Sequence, residues 1–119
     1  MKDSSHKAAT VAIHGAYDPA EHQSSCAVPI YLTSAYDFGT AENAAQIFNL
    51  SRPGYIYSRL NNPTTDVLER RLTELEGGVG ACVFSSGTAA LFSTILTLMH
   101  SGDHLISSSM VYGGTHTMF

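Results

Sequence analysis

The sequence predicts an α/β fold in which helices flank a sheet that contains parallel strands. Residues 81–84 form a short continuous apolar run, which is typical of a strand covered on both faces. A turn at 85–88, a helix at 89–99 and a second strand at 104–108 follow it. This order is a βαβ unit, so we expect the strands to run parallel with a right-handed crossover. The helix is apolar around most of its circumference, and we expect it to be largely buried.

The region before this unit has a different character. Residues 1–60 are predicted to form an N-terminal arm with inter-subunit contacts, and residues 61–119 the incomplete beginning of the α/β domain. Within the arm we expect a short helical turn near Thr10–His14, an extended apolar segment at 28–32 and a short helix capped by Thr40. A long extended arm gains little in a monomer, whereas an oligomer can bury it against a partner.

The helix that opens the second region is marked at both ends. Asn62 is a suitable cap and Pro63 suits the first helical position, while the glycine pair 77–78 ends the helix after Glu76. Its apolar stripe at positions i, i+4 and i+7 consists of Leu68, Leu72 and Leu75.

The end of the sequence interrupts a predicted element. Phe119 lies inside another helix start, which follows the glycine pair 113–114. A sheet of two parallel strands is also too small to be covered on both faces. We therefore expect the chain to be a truncated piece of a larger protein.

Composition excludes several classes of partner. The 119 residues carry a net charge of −4, and the 6 Lys and Arg residues are scattered, so no nucleic-acid partner is expected. No apolar run reaches the roughly 18 residues that a membrane span needs, and the polar start is unlike a signal peptide. We expect a cytoplasmic protein with no membrane contact, with Cys26 and Cys82 as reduced thiols. The histidines show no metal-ligand spacing, so no metal site is expected.

A candidate anion site lies where the first strand leads into a helix. The first turn of a helix has free N–H groups and a partial positive charge, which suit a phosphate. Ser86 and Thr88 add hydroxyl groups, and Gly87 lets the backbone approach an anion. An ordinary N-cap with a turn glycine explains the same residues, and the lysine and glycines of a Walker or dinucleotide loop are missing.

Three further side chains suit a phosphorylated aromatic ligand. Residues 55–60 are predicted to be extended, so Tyr57 and Arg59 should point to the same side, where both can donate to a phosphate. Tyr112 follows the second strand, at the edge where parallel sheets bind ligands, and its ring can stack on a flat heteroaromatic group. Taken singly, each of these side chains also fits an ordinary surface or loop position.

Five ordered blocks of sequence carry a family resemblance. They are YSRLNNPT at 57–64, LEGG at 75–78, SSGTAA at 85–90, GD at 102–103 and SSSMVYGGT at 107–115. Their order resembles the N-terminal third of the Cys/Met-metabolism enzymes that depend on pyridoxal phosphate (PLP), from about Thr10 to Phe119. The resemblance implies a fold-type I, aminotransferase-like fold, of which this chain holds the N-terminal arm and the start of the large PLP-binding domain.

The resemblance also implies roles for the candidate site residues. Residues 86–88 match the loop that holds the phosphate of PLP. Tyr112 matches the catalytic tyrosine that stacks on the pyridine ring and takes part in proton transfer. Tyr57 and Arg59 match the pair that reaches the phosphate of the neighbouring subunit's cofactor. An amino-acid substrate and a homotetramer built as a dimer of dimers are implied with them.

One residue type that this chemistry requires has no match. PLP enzymes need a lysine that bonds to the cofactor and a carboxylate beside its pyridine nitrogen. The only lysines are Lys2 and Lys7, in the polar arm. The matching lysine, the aspartate and the arginine that grips the substrate carboxylate are expected beyond Phe119. We therefore expect the complete protein to be an enzyme and the 119-residue chain alone to be inactive.

Within the family, the similarity is greatest to the O-acetylhomoserine sulfhydrylases, through residues 27–31, 52–59 and 107–115. The implied reaction is γ-replacement on O-acetylhomoserine by sulfide or methanethiol, giving homocysteine or methionine. Methionine γ-lyase and cystathionine γ-synthase are alternatives of the same chemical class. A non-catalytic phosphate-binding or interaction module is an alternative of another class.

Overall fold

The computed structural model describes residues 6–119, so the polar start of the arm, with Lys2, lies outside the described residues. The chain divides into two compact units between Ala81 and Cys82. Among residues 6–119, the first unit holds three α-helices and a 3₁₀ helix, and the second unit holds two α-helices. The helices are α1 (Ala8–His14), the 3₁₀ helix Pro19–His22, α2 (Ala41–Phe48), α3 (Pro63–Glu76), α4 (Gly87–Leu98) and α5 (Gly113–Met118).

Helices α1 and α3 pack against each other in the first unit. Arg71 on α3 donates from Nε to the carbonyl of Gly15 (2.9 Å) and from Nη1 to the carbonyl of Ala12 (3.4 Å). The last carbonyls of a helix lack partners within it, so an arginine placed there satisfies them. Val11 and Val67 are among the few buried apolar side chains. The helical turn expected near Thr10–His14 is thus confirmed, and α3 secures its end.

The predicted caps of α2 and α3, and the predicted end of α3, are confirmed. The Thr40 hydroxyl accepts a hydrogen bond from the Asn43 N–H (3.1 Å), which caps α2. Asn62 caps α3 in the same way through the Thr64 N–H (2.9 Å), with Pro63 at the first helical position. The C-terminal end of α3 is closed by Gly77, whose φ of 63° lies in the left-handed region that glycine adopts readily.

The apolar faces of two helices are partly exposed, and the predicted burial of α4 is wrong. The stripe of Leu68, Leu72 and Leu75 on α3 is 47, 37 and 37 % exposed, and Val67 beside it is the buried residue. Helix α4 spans Gly87–Leu98, so it begins two residues before the predicted start at 89, because Ser86 caps it. It has no buried residue. An apolar face is covered only if a partner element lies against it. Among the described residues, α3 packs against α1 and α4 against α5, and these contacts leave much of both apolar faces exposed.

The expected sheet is also absent from the described residues. Residues 81–84 and 104–108 have no regular secondary structure, and the bridge between Ala35 and Tyr57 is isolated and antiparallel. Ile106, in the second segment, is 98 % exposed. A parallel strand takes hydrogen bonds from neighbouring strands and burial from helices on both faces. The described residues give neither segment such neighbours, and both remain irregular.

Three general expectations concern metals, membranes and thiols. No helix among the described residues combines the length and apolar character that a membrane span needs. The described residues contain no group of three or more His, Cys, Asp or Glu side chains placed to hold a metal ion. Cys26 and Cys82 are free and exposed.

Candidate functional site

The start of α4 is built around Ser86. Its backbone is extended (φ −155°, ψ 154°), and its hydroxyl accepts a hydrogen bond from the Ala89 N–H (3.1 Å). Its carbonyl accepts the first helical hydrogen bond, from Ala90 (3.1 Å). The Ser86 side chain is therefore an N-cap, and it aligns the first turn of a 12-residue helix.

The next two residues leave their backbone donors available. Neither the Gly87 nor the Thr88 N–H donates a hydrogen bond to any residue that the structure describes. The first turn carries no acidic residue that would compete with an anion. A Cβ built on Gly87 meets no atom within 4 Å, so the space beside its backbone is open. Two free donors, the helix dipole and open space fit a phosphate group.

Tyr112 stands at the start of α5, which contacts α4 in the second unit. Its ring is 76 % exposed. A Cβ on Gly114 would lie 2.8 Å from Cε1 of that ring. This distance is shorter than a normal carbon–carbon contact, so the Tyr112 ring would have to move. Gly114 thus lets the ring lie where it does. The sequence assigned no role to this glycine, although the glycine pair after the tyrosine was a visible signal.

Tyr57 lies at the end of the extended part of residues 55–60, and Arg59 lies in a turn rather than on the predicted extended segment. The Tyr57 carbonyl accepts hydrogen bonds from the N–H groups of Leu60 (2.8 Å) and Asn61 (3.1 Å), so the chain turns immediately after Tyr57. The prediction of an extended segment over 55–60 is therefore wrong for residues 58–60, which form a turn. The alternation of apolar and polar side chains resembles a strand, but a closing hydrogen bond three residues on makes a turn.

The turn nevertheless brings the two side chains together. The guanidinium carbon of Arg59 lies 5.2 Å from the centroid of the Tyr57 ring, a cation–π contact. Both residues are exposed. Within the described residues, no carboxylate forms an ion pair with Arg59. Its N–H groups are therefore available to an anion.

A cavity of about 530 Å³ in the first unit lies apart from these residues. Tyr55, in its lining, donates to the Asp66 carboxylate (3.4 Å), which is also paired with Arg70 (3.0 Å). Burial, the largest cause, and the charge and hydrogen bond of Asp66 raise the pKa of Tyr55 above 10.0. The lining is Glu21, His22, Tyr31, Tyr36, Tyr55, Pro63, Asp66 and Arg70.

The predicted site residues therefore fall into two groups. Ser86, Gly87 and Thr88 form one helix start, and Tyr112 begins the helix that contacts it. Tyr57 and Arg59 stack on each other in the other compact unit.

Comparison with known proteins identifies the family of this chain. A sequence model of the family described as Cys/Met metabolism PLP-dependent enzymes matches residues 9–119. The chain belongs to this family. The predicted membership is confirmed, and the match contains both groups of candidate site residues.

Curated members of the Cys/Met-metabolism family include close relatives of this chain. A protein named Sulfhydrylase FUB7 from Fusarium oxysporum is 50 % identical over 107 residues, which are 90 % of this chain and 25 % of the relative. A homocysteine synthase from Schizosaccharomyces pombe is 46 % identical, over 92 % of this chain and 26 % of the relative. An O-acetyl-L-homoserine sulfhydrylase from Leptospira meyeri is 44 % identical, over 94 % and 25 %. The chain thus spans about a quarter of the length of these relatives.

A solved member of similar sequence supports the fold. The crystal structure of a protein from Campylobacter jejuni, designated an O-acetylhomoserine (thiol)-lyase, matches with a TM-score of 0.86 and 46 % identity. The match covers 95 % of this chain and 28 % of that one. The C. jejuni protein carries N′-pyridoxyl-lysine-5′-monophosphate, which is PLP joined to a lysine. This chain therefore follows the fold of the matching part of a PLP-dependent enzyme.

Proposed function

We propose that the protein to which this chain belongs is a PLP-dependent O-acetylhomoserine sulfhydrylase. In the proposed reaction the bond between the γ-carbon and the acetate oxygen breaks, and acetate leaves. The sulfur of sulfide or methanethiol then bonds to that carbon, giving homocysteine or methionine. The names of the relatives, which include homocysteine synthase and O-acetyl-L-homoserine sulfhydrylase, support this substrate and product.

The observation that carries the proposal is the start of α4. The free N–H groups of Gly87 and Thr88 point to an anion as the ligand, and the phosphate of PLP is such an anion. In the proposal, Ser86 aligns these donors through its cap, and Thr88 adds its hydroxyl. When bound, PLP supplies an electron sink that makes departure of the γ-substituent possible.

Tyr112 is proposed as the residue that faces the pyridine ring. Its exposed ring, at the start of a helix in contact with α4, suits stacking on a flat heteroaromatic group. The same residue is proposed to be catalytic, with its phenolic oxygen taking part in proton transfer. A phenolic O–H both donates and accepts hydrogen bonds, which this role requires.

The pair of Tyr57 and Arg59 is proposed to bind the phosphate of a neighbouring subunit's PLP. The exposed guanidinium, with no carboxylate paired to it among the described residues, supports an intermolecular role. In this proposal residues 1–60 are the arm of a homotetramer, a dimer of dimers, and residues 61–119 begin the large PLP-binding domain. A parallel-containing sheet completed by further polypeptide, and a location in the cytoplasm, belong to the same proposal.

The reaction is tested on the complete protein loaded with PLP. We expect homocysteine to form from O-acetylhomoserine and sulfide, and methionine to form when methanethiol replaces sulfide. Two comparison assays test the alternatives. Turnover of methionine alone would indicate a methionine γ-lyase, and turnover of cysteine with O-acetylhomoserine would indicate a cystathionine γ-synthase. Absence of a sulfur-containing product from O-acetylhomoserine would refute the proposal.

The 119-residue chain by itself serves as a second test. Its only lysines are Lys2 and Lys7, so we expect no turnover and no PLP fixed to a particular lysine after borohydride reduction. Peptide mass spectrometry locates any reduced adduct. Stoichiometric labelling of Lys2 or Lys7, together with turnover, would show that the lysine that bonds to PLP lies in this chain and not beyond Phe119.

A further inference from the structure

Asn62 joins three parts of the first unit. Its Oδ1 caps α3 by accepting from the Thr64 N–H (2.9 Å), and this donor fixes which end of the amide is nitrogen. Its Nδ2 lies 3.0 Å from the Tyr31 carbonyl and 3.0 Å from the Ser58 hydroxyl. It also lies 3.1 Å from the Tyr36 hydroxyl. Asn62 is only 6 % exposed, so these contacts replace water.

The contact with Ser58 reaches the turn that carries Tyr57 and Arg59. The Ser58 hydroxyl donates to the Thr33 carbonyl, so towards Asn62 it acts only as an acceptor. The Ser58 N–H donates to the Ser34 carbonyl (2.9 Å). Ser58 is thus held on both its backbone and its side chain, and it stands between the two residues of the stacked pair.

Asn61 holds the other side of the same segment. Its Nδ2 donates to the Gly54 carbonyl (2.9 Å), and its Oδ1 accepts from the Ile56 N–H (3.3 Å). The Tyr57 carbonyl closes the turn onto the Asn61 N–H. Two consecutive asparagines therefore anchor the turn through hydrogen bonds.

We propose that Asn62, acting through Ser58, is a positioning residue for the anion-binding pair Tyr57 and Arg59. This inference rests on the proposed function, because it takes the phosphate of PLP as the anion. Binding an anion already costs the rotamer entropy of the Arg59 side chain, so a turn whose backbone is ordered beforehand avoids a further ordering cost. Asn62 touches neither substrate nor cofactor in this scheme.

The test measures PLP affinity of the complete apo-protein by fluorescence titration, separately from turnover. Asn62→Asp keeps the helix cap but removes the amide donor, and Ser58→Ala removes the linking hydroxyl while leaving the cap intact. We expect each to weaken PLP binding about 5- to 10-fold, the effect of one hydrogen bond. Thr64→Val is the matched control, because Thr64 binds the backbone of Pro29 and Tyr31 but not the turn. It should lower thermal stability without changing PLP affinity.

The deciding measurement repeats these changes in a Tyr57→Phe, Arg59→Ala background. Positioning predicts that Asn62→Asp and Ser58→Ala change PLP affinity less than about twofold there, because both groups they position are gone. Equal losses in both backgrounds, or no loss from Ser58→Ala, would overturn the positioning role. Ser58→Ala decides the matter if Asn62→Asp does not fold. An unchanged affinity in Arg59→Ala alone would instead refute the proposed phosphate contact itself.

Discussion

The guanidinium carbon of Arg59 lies 5.2 Å from the centroid of the Tyr57 ring, two residues earlier in the chain. A cation over an exposed ring is stabilised by roughly 0.5–1 kcal/mol. This stabilisation is smaller than that of a guanidinium bound to a phosphate, because the guanidinium donates paired, charge-assisted hydrogen bonds to the phosphate oxygens. The stacked contact therefore holds the side chain in place while leaving it free to bind a stronger partner.

Replacement of Arg59 by lysine tests whether the planar fork matters. We expect Arg59→Lys to weaken PLP binding by the complete protein about 10-fold, because an ammonium group keeps the charge but cannot donate two parallel hydrogen bonds. Arg52→Lys is the matched control, since exposed Arg52 contacts the Asn43 side chain and is no part of the proposed site. Titration of the apo-protein with PLP measures both. Equal effects of the two changes would contradict the assigned role.

An alanine at Gly87 should affect stability and binding differently. Its φ lies outside the left-handed region and a Cβ there meets no protein atom, so Gly87→Ala should preserve the free energy of unfolding or raise it by up to about 1 kcal/mol. The methyl group would occupy the space proposed for the phosphate, so we expect PLP affinity to fall at least about 10-fold. Thermal melts and PLP titrations provide the two readings. Gly80→Ala, also with open space, should leave both unchanged. Unimpaired PLP binding by Gly87→Ala would argue against a phosphate at this turn.

The two glycines that follow α3 should respond differently to alanine. Gly77 has a φ of 63°, where a Cβ is strained, so Gly77→Ala should lower the free energy of unfolding by about 1 kcal/mol. Gly78 has no such φ, and a Cβ there would be in ordinary contact at 3.7 Å. Gly78→Ala should therefore be nearly neutral. Urea unfolding of both variants measures the difference, and equal losses would show that backbone conformation is not the cause.

The raised pKa of Tyr55 should make the stability of the fold depend on pH in alkaline solution. Burial, and secondly Asp66, raise its pKa in the folded protein above 10.0. The neutral phenol therefore stabilises the fold fully below the unfolded pKa, and this contribution is lost as pH rises through the folded pKa. Tyr55→Phe should make the free energy of unfolding fall less steeply above about pH 10. Asp66→Asn should have a smaller effect of the same sign, because burial remains. Parallel slopes for wild type and Tyr55→Phe in urea titrations would contradict this prediction.

Local features of the structure follow from short stretches of sequence. The caps at Thr40, Asn62 and Ser86, and the glycine that ends α3, are each decided within about four residues by the unpaired donors and acceptors at a helix end. The family could be predicted for the same reason, because its signature residues occur in short ordered blocks. The helix start that suits a phosphate was predictable from a cap, a glycine and the helix after them.

Features that depend on distant residues were not predictable. The strands expected at 81–84 and 104–108 need hydrogen-bonding neighbours that the described residues do not provide, and the leucine stripe of α3 needs a partner to bury it. The turn after Tyr57 is anchored by Asn62, whose cap was visible in the sequence but whose amide reaches Ser58 and Tyr31 only in the folded chain. Short stretches of sequence are enough to predict the caps, the family and the residue types of the candidate site. Which faces are covered, and how the Tyr57–Arg59 pair is held, depends on the folded chain, because burial and long-range hydrogen bonds join groups that are far apart in sequence.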